Sequence, residues 1–209
     1  MVTSVGRPAA VSFLLMSQAG DQDLDEQQYR APQQLSELLA QVVNQDRDEP
    51  VDGLTIDPAP PGPTIVDVGC GTGLVGLALA AEGYQTIDGF DLSPAMVEVA
   101  ARCGCYRTLT PGVDITQPLP QDLIGAHDIV VVGGVFTTGH VPPEALEAVA
   151  SLARPGGLLI ISARLQYYTD TNFGAVSETL EREGKLQLLR QTLNAPYTLD
   201  SLALSLIHI

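Results

Sequence analysis

The sequence predicts an α/β domain built on a doubly wound, mostly parallel sheet. From Thr64 onward, short apolar runs typical of buried strands alternate with runs that have helical periodicity. A glycine-rich turn, IVDVGCGTG, joins the first of these strands to the first of these helices. The chain has 209 residues, enough for one well-buried domain but not for two large ones.

The residues before this domain divide into two parts. Residues 1–32 are expected to be a partly disordered N-terminal segment, whose apolar run Ala9 to Met16 resembles a weak targeting segment. Residues 33–63 are expected to hold a helix and a linker. Apolar residues recur at helical spacing from Gln33 to Val43, whereas the Asp- and Pro-rich stretch Asn44 to Pro63 is not expected to continue the helix.

Residues 64–203 form the predicted main domain, in which strands and helices alternate. The predicted strands are Thr64 to Val68, Thr86 to Phe90, Tyr106 to Val113, Ile129 to Val132, Leu158 to Ser162 and Leu186 to Leu193. The predicted helices are Leu74 to Glu82, Pro94 to Ala101, Pro143 to Leu152 and Phe173 to Glu183. Ser93 is an expected N-cap, and a turn is expected from Arg154 to Gly157.

The glycine turn predicts a ligand site. Gly69, Gly71 and Gly73 follow the first strand, where missing side chains let a ligand contact the backbone. Gly71, Gly73 and Gly76 also satisfy GxGxxG, so glycine spacing alone fits either NAD or S-adenosylmethionine (SAM).

Asp67 favours SAM over NAD. It stands inside the first strand, where a dinucleotide-binding strand normally carries an apolar side chain. A buried carboxylate needs a cationic partner, and the ammonium of SAM would supply one, directly or through water. A short-chain dehydrogenase would also need a Tyr four residues before a Lys, and Lys185 has no such tyrosine.

Two further acids follow later strands. Asp91, in GFDLSP, is predicted to accept hydrogen bonds from the ribose hydroxyls, with a helix-capping acid as the alternative. Asp114, in GVDIT, is predicted to accept from the adenine amino group, with a simple turn residue as the alternative. The other predicted cofactor contacts are Leu92, Met96 and Ile115 against the adenine, and Gly133 after the fourth strand, although Met96 equally fits the core.

These motifs resemble the class I methyltransferase superfamily. VDVGCGTG, GFDLSP and RPGGLLIIS match its first, second and post-catalytic motifs, and YRAP, CGTGLVG and GHVP are similar to the Williams-Beuren syndrome region methyltransferase-like proteins. The resemblance implies a Rossmann-like class I methyltransferase fold and SAM-dependent methyl transfer. That family's aromatic YD and WA segment is missing before YRAP, so we expect a divergent lid or an incorrect 5′ end of the gene.

The chain ends in LSLIHI, Leu204 to Ile209. These letters translate CTGTCTCTTATACACATC, the mosaic-end adapter of transposase-based sequencing libraries, which predicts an adapter-derived end; the alternative is a genuine apolar strand. In the superfamily a reversed C-terminal strand lies between strands five and six. Here that strand is expected to be missing, with strand edges left unpaired.

The loop after the fourth strand, GGVFTTGHVPP, is the expected acceptor site. It lacks the NPPY-like motif of superfamily members that methylate base amines or glutamine amides. His140 is a candidate general base, and the alternative is an anchor for the loop. Phe136 is expected to line the pocket, and His127 is expected at the surface.

Composition excludes other classes of function. The net charge is −15 and Lys185 is the only lysine, so a nucleic-acid partner is not expected. No apolar run approaches the roughly 20 residues of a membrane span. Three cysteines, Cys70, Cys103 and Cys105, favour a reducing compartment, cytoplasmic or nuclear, and no metal site is expected.

The predicted function is SAM-dependent methylation of a small-molecule or protein acceptor. A SAM-binding module without catalysis and, less favoured, an NAD(P)-dependent oxidoreductase are the alternatives. The acceptor and the oligomeric state are left open.

Overall fold

The computed structural model describes residues 8–16, 30–48, 54, 56, 62–195 and 205–207. Its strands are β1 (Ala9–Met16), β2 (Ile65–Val68), β3 (Ile87–Asp91), β4 (Thr108–Pro111), β5 (His127–Phe136), β6 (Ala153–Arg164), β7 (Leu186–Ala195) and β8 (Ser205–Ile207). Its helices are α1 (Ala31–Asp48), α2 (Leu74–Ala81), α3 (Pro94–Ala100), α4 (Ala145–Ala150), α5 (Leu165–Asp170) and α6 (Phe173–Arg182). A short 3₁₀ turn, Ala101–Cys103, follows α3.

The strands form one sheet in the order β4-β3-β2-β5-β6-β1-β7-β8. Every neighbouring pair is parallel except β7 with β8, which is antiparallel. The predicted doubly wound, mostly parallel, Rossmann-like sheet is therefore confirmed. The order runs outward in both directions from β2 and β5, so the point where it reverses lies between these two strands.

The structure of β1 differs from the prediction for the N-terminal segment. Ala9–Met16 was expected to resemble a targeting segment within a partly disordered region, but it forms a strand parallel to both β6 and β7. It lies between the fifth and sixth strands of the main domain, where unpaired edges were expected. An eight-residue apolar run can be buried in the centre of a sheet, and periodicity alone cannot distinguish such a run from a targeting segment.

Helices cover both faces of the sheet and produce two cores. Alternate residues of each strand point to opposite faces, so Ile129 and Val131 pack with α1 and α2, whereas Val130 and Val132 pack with α4 and α6. All four of these β5 side chains are fully buried. Burial on both faces explains why β5 has a continuous β-branched sequence rather than alternating polarity.

Three local differences separate the predicted from the observed elements. Helix α1 continues past Val43 to Asp48, because no proline interrupts it before Pro50. Arg154 to Gly157 lies inside β6 rather than in a separate turn; β6 has three extra residues against β5 there, and Gly156 has a φ of 75°. Helix α5 was not predicted.

Charged networks tie the amino ends of the strands together. Asp88 accepts hydrogen bonds from Arg107 and Thr108 and pairs with Nε2 of His127 at 3.2 Å. The prediction of a surface position for His127 is wrong, because this residue is only 4% exposed and reaches across β2 to Asp88. Burial alone would raise the pKa of Asp88, but these three hydrogen bonds together hold it below its ordinary value.

A second network lies beside the first. Oδ2 of Asp128 accepts from the hydroxyl of Thr64 at 2.7 Å and from its backbone amide at 2.7 Å, and Oδ1 accepts from Nε of Arg154 at 2.6 Å. The two networks join β2, β3, β4, β5 and β6 at one edge of the sheet.

The described residues contain neither a candidate membrane-spanning helix nor a candidate metal cluster. No helix in the described part of the chain has the length and apolarity needed to cross a membrane. Within the same residues, no three His, Cys, Asp or Glu side chains are grouped so that they could hold a metal ion.

Candidate cofactor and acceptor site

A cavity of about 680 Å³ lies at the carboxyl ends of β2, β3 and β5. Its wall includes most of the residues predicted for the cofactor: Gly69, Gly71, Asp91, Leu92, Met96, Asp114, Ile115 and Gly133. His140, the candidate base, lines the same cavity. Because parallel strands end at one edge of the sheet, segments separated by up to 71 residues meet here.

The glycine loop between β2 and α2 requires residues without side chains. Gly69 has a φ of 65°, and a Cβ there would lie 2.5 Å from Cγ2 of Val135. Gly73 caps α2 with a φ of 94°. Larger residues would be strained at both positions, and at Gly69 they would also collide with Val135 near the end of β5.

Asp91 connects the ends of β2 and β3. Its Oδ2 accepts from the amide of Gly71 at 2.9 Å, and its Oδ1 accepts from the amide of Ser93 at 2.8 Å. The side chain therefore holds the glycine loop against β3. A carboxylate oxygen can accept a second hydrogen bond, so both oxygens can still receive one from a ligand.

Ser93, not Asp91, caps the start of α3. Oγ of Ser93 accepts from the amide of Met96, and Pro94 occupies the first position of α3, which confirms the predicted start of this helix. The alternative reading of Asp91 as an exposed helix-capping acid is therefore not needed for α3.

The distal part of the cavity has an apolar surface and one acid. Leu92 is 61% exposed and Met96 is 44% exposed, while Ile115, which lines the same cavity, is buried. Large exposed apolar side chains in a cavity wall indicate a ligand with an apolar surface, such as a purine. Oδ1 of Asp114 accepts from both the amide and the hydroxyl of Thr116, at 2.8 and 2.7 Å, and Oδ2 takes no part in these two hydrogen bonds.

Asp67 is placed differently from its prediction. It is fully buried and does not line the cavity; instead its Oδ2 accepts a 2.7 Å hydrogen bond from the hydroxyl of Tyr106. Burial raises the pKa of Asp67 to about 7, and the hydrogen bond from Tyr106 opposes that rise. Gly73 is also absent from the cavity wall and packs against Cys103, Ala100 and Tyr106.

The acids at this edge of the sheet lack cations. Across the described residues, no Lys, Arg or His forms an ion pair with Asp67, Asp91 or Asp114. Within the same part of the chain, Oδ1 of the buried Asp67 has no hydrogen-bond partner. SAM carries a sulfonium and an ammonium, and its ribose and adenine donate hydrogen bonds, so the residues present fit this cofactor.

His140 lies on the exposed loop after β5. Its Nδ1 is 2.9 Å from Oγ1 of Thr137 and 3.4 Å from the carbonyl oxygen of Thr138. A carbonyl oxygen can only accept, which favours the tautomer with the proton on Nδ1. Nε2 then keeps a lone pair that can take a proton.

Aromatic packing holds this loop in place. Phe136 was expected in the pocket wall, but it is fully buried among Tyr167 and Phe173, at centroid distances of 6.1 and 5.1 Å. The hydroxyl of Tyr167 donates to the carbonyl oxygen of Val141, at 2.8 Å, next to His140. Side chains of α5 and α6 thus contact the end of β5 and the loop that follows it.

Five residues of the cavity wall were not among those predicted from the sequence for the cofactor or acceptor site. They are Val68, Phe90, Ser93, Val113 and Thr116. Most are apolar residues at strand ends, which look like ordinary core positions in a sequence. Tyr106 also escaped; the signal that could have found it is Gly89, because a glycine inside a strand often marks a close approach by another group.

Comparison with known proteins supports the same family. A sequence profile described as a methyltransferase domain matches residues 26–204. Human methyltransferase-like protein 27 is 33% identical over 163 residues, which cover 78% of this chain and 60% of that protein. This relative confirms the resemblance predicted from the YRAP, CGTGLVG and GHVP segments.

Other relatives are similar over shorter stretches. The ubiquinone biosynthesis O-methyltransferase of Xanthomonas axonopodis pv. citri (strain 306) is 32% identical over 109 residues, covering 49% of this chain and 44% of that protein. Among solved structures, SAM-bound CalS10, an amino pentose methyltransferase from Micromonospora echinaspora, is 23% identical with a TM-score of 0.41, covering 61% of this chain and 50% of that one.

The chain spans about 60% or less of the length of the curated relatives it matches. The profile nevertheless covers most of the chain, including every predicted cofactor residue. The chain therefore belongs to the methyltransferase domain family, the SAM-dependent class I enzymes that its glycine loop and strand-end acids predict.

Proposed function

We propose that this chain transfers the methyl group of SAM to a small-molecule or protein acceptor. One observation carries the proposal: Asp91 and Asp114, which form no ion pair among the described residues, line a cavity of about 680 Å³ beside a glycine loop. Asp91 would accept from the ribose hydroxyls, Asp114 from the adenine amino group, and Leu92, Met96 and Ile115 would contact the adenine. The amides of the glycine loop, together with Gly133, would leave room for the rest of the cofactor.

Bound SAM supplies a methyl group already activated on a sulfonium. The protein then has to position the acceptor and exclude water, since an in-line displacement needs no protein nucleophile. The end of β5 and the loop after it supply one wall for this purpose. Gly134, in β5, is held by a 3.1 Å hydrogen bond from its amide to the hydroxyl of Ser162, and Val141, in the loop, is held by Tyr167.

His140 is the proposed general base. With Nδ1 directed to Thr137 and Thr138, its Nε2 would accept the proton that an acceptor hydroxyl, thiol or ammonium loses. Its exposed position supports access by an acceptor from solvent. We expect His140→Gln to lower kcat about 100-fold while the Kd for S-adenosylhomocysteine changes less than two-fold. An unchanged kcat would leave His140 as an anchor for the loop.

The net charge of the chain limits the class of acceptor. The net charge of −15 disfavours a polyanion, so a nucleic acid is not among the proposed acceptors.

The three free thiols, Cys70, Cys103 and Cys105, support a reducing compartment, either the cytoplasm or the nucleus.

Calorimetric titration of S-adenosylhomocysteine tests the cofactor site. We expect binding to the wild-type chain, binding about 100-fold weaker in Asp91→Ala, and no heat with NADH. Binding of NADH instead would favour the oxidoreductase. Binding of S-adenosylhomocysteine, with no methyl transfer from radiolabelled SAM to any fraction of a cell extract, would favour a binding module.

A further inference from the structure

Tyr106 fills a notch behind the glycine loop that three glycines leave open. A Cβ at Gly76 would lie 2.3 Å from Cζ of Tyr106, and one at Gly89 would lie 2.9 Å from Cε1. At Gly73 the corresponding distance is 3.3 Å to Cε2. Gly76 and Gly89 do not have positive φ angles, so space for the ring explains them better than backbone freedom does.

The ring carries a hydroxyl to a buried acid. The Tyr106 hydroxyl donates to Oδ2 of Asp67 at 2.7 Å, and the backbone of Gly76 lowers the pKa of this carboxyl group. Asp67 therefore lies near the first turn of α2, and the Tyr106 ring fills the space beside all three glycines. The Tyr106 ring therefore connects the position of the glycine loop with the protonation state of Asp67.

The groups around Asp67 do not compensate its charge. They are Asp91 on β3, Cys70 in the glycine loop, and Cys105 and Tyr106 after α3. Burial is the largest cause that raises the pKa of Asp67 to about 7, and Asp91 adds to it. The Tyr106 hydroxyl lowers that pKa, because it donates to the ionised form.

We propose that Tyr106 is a positioning residue that links cofactor binding at the glycine loop to the ionisation of Asp67, so that cofactor affinity depends on pH. This inference rests on the proposed cofactor site. A cation bound at the loop favours the carboxylate over the carboxylic acid. Asp67 then loses its proton to the buffer, and the Tyr106 hydroxyl holds the carboxylate in place.

The first measurement counts protons. S-adenosylhomocysteine is titrated calorimetrically into the full chain at pH 6, 7 and 8, in two buffers with different ionisation enthalpies. At pH 7 about half a proton per bound ligand should be released from Asp67, because that pH is near its pKa. In Asp67→Asn this release should disappear, and any remainder measures the ligand's own ionisation.

Tyr106→Phe separates the hydroxyl from the ring. The ring still fills the notch, but the pKa of Asp67 rises further. The pH at which affinity changes should therefore move upward, and affinity at pH 7 should fall about five-fold. In the Asp67→Asn background, Tyr106→Phe should change affinity less than two-fold.

Thr64→Val is the matched control. It removes a hydroxyl-to-carboxylate hydrogen bond of the same 2.7 Å length, to Asp128, at the other end of β2. It should lower the melting temperature without moving the pH profile of binding. If Tyr106→Phe has the wild-type profile, or if Thr64→Val shifts the profile equally, the proposed link is wrong. A wild-type chain that binds no S-adenosylhomocysteine would overturn the proposed function itself.

Discussion

At the amino ends of the strands Asp88 and Asp128 each pair with an arginine, whereas at the carboxyl ends Asp67 and Asp91 accept hydrogen bonds and form no ion pair among the described residues. The first arrangement compensates each carboxylate inside the chain and ties neighbouring strands together. The second leaves two acids without a cation in the described part of the chain, with Asp91 in the cavity wall and Asp67 buried outside it. Uncompensated buried charge costs stability, so its presence at one edge indicates that a ligand completes that edge.

The largest expected effect is the pH dependence of stability at Asp67. Its pKa is raised in the folded chain, so its contribution to stability is complete below the unfolded pKa, about 4, and is lost as pH rises through about 7. The free energy of unfolding should fall by about 4 kcal/mol across this window. Denaturant titrations from pH 4 to 8 should show this fall in the wild-type chain and not in Asp67→Asn.

Asp88 sharpens the contrast between the two edges of the sheet, because its pKa shift has the opposite sign to that of Asp67. Its lowered pKa means that its contribution is present above the unfolded pKa and is lost as pH falls through the folded value. The same titrations continued into acid should show this second loss in Asp67→Asn as well. If Asp67→Asn kept the wild-type fall between pH 4 and 7, Asp67 would not be the group responsible.

Asp91→Ala should have the next largest effect. It removes the acceptor for the Gly71 and Ser93 amides and the proposed ribose contact together. We expect the Kd for S-adenosylhomocysteine to rise about 100-fold, since one well-placed charged acceptor contributes roughly 1.5–3 kcal/mol. Circular dichroism provides the control, and a folded variant with wild-type affinity would contradict the assignment.

Asp88→Asn should affect stability but not binding. The Arg107 side chain is 51% exposed, so the ion pair itself contributes little, and most of the loss comes from hydrogen bonds with Thr108 and His127. We expect the free energy of unfolding to fall by about 2 kcal/mol. Affinity for S-adenosylhomocysteine should stay within two-fold of wild type; a larger change would break the division between the two edges.

Asp114→Ala should have the smallest effect. Asp114 is only partly exposed and its carboxylate already accepts two hydrogen bonds from Thr116, so the loss of a contact with an adenine amino group should weaken binding only about five-fold. S-inosylhomocysteine, which lacks that amino group, should bind both wild type and variant with similar affinity. If Asp114→Ala weakened binding of both ligands equally, a turn role would explain the residue better.

Much of the central sheet was predictable because its signals are local. The β-branched run at Ile129 to Val132, the glycines after β2, and Ser93 with Pro94 at the start of α3 each require only neighbouring residues to be interpreted. The structure confirms these elements within a few residues of their predicted ends, except β5 and β6, whose observed strands are longer. The convergence of Asp91, Asp114 and Gly133 on one cavity was predictable for a related reason, since parallel strands end at a common edge.

The remaining features depend on contacts between distant residues. Whether Ala9–Met16 becomes a strand depends on an open position between β6 and β7, about 150 residues or more away in the chain. The burial of His127 depends on Asp88 across β2.

The sequence by itself determined the glycine loop, the alternating strands and helices, and the acids after β3 and β4, because local periodicity and residue chemistry suffice for these. Only the tertiary structure decided that Asp67 faces Tyr106 rather than the cavity, and that Phe136 belongs to the core. Side-chain partners are selected by packing in three dimensions. A linear pattern specifies which residues are apolar or charged, but it does not specify which of them meet.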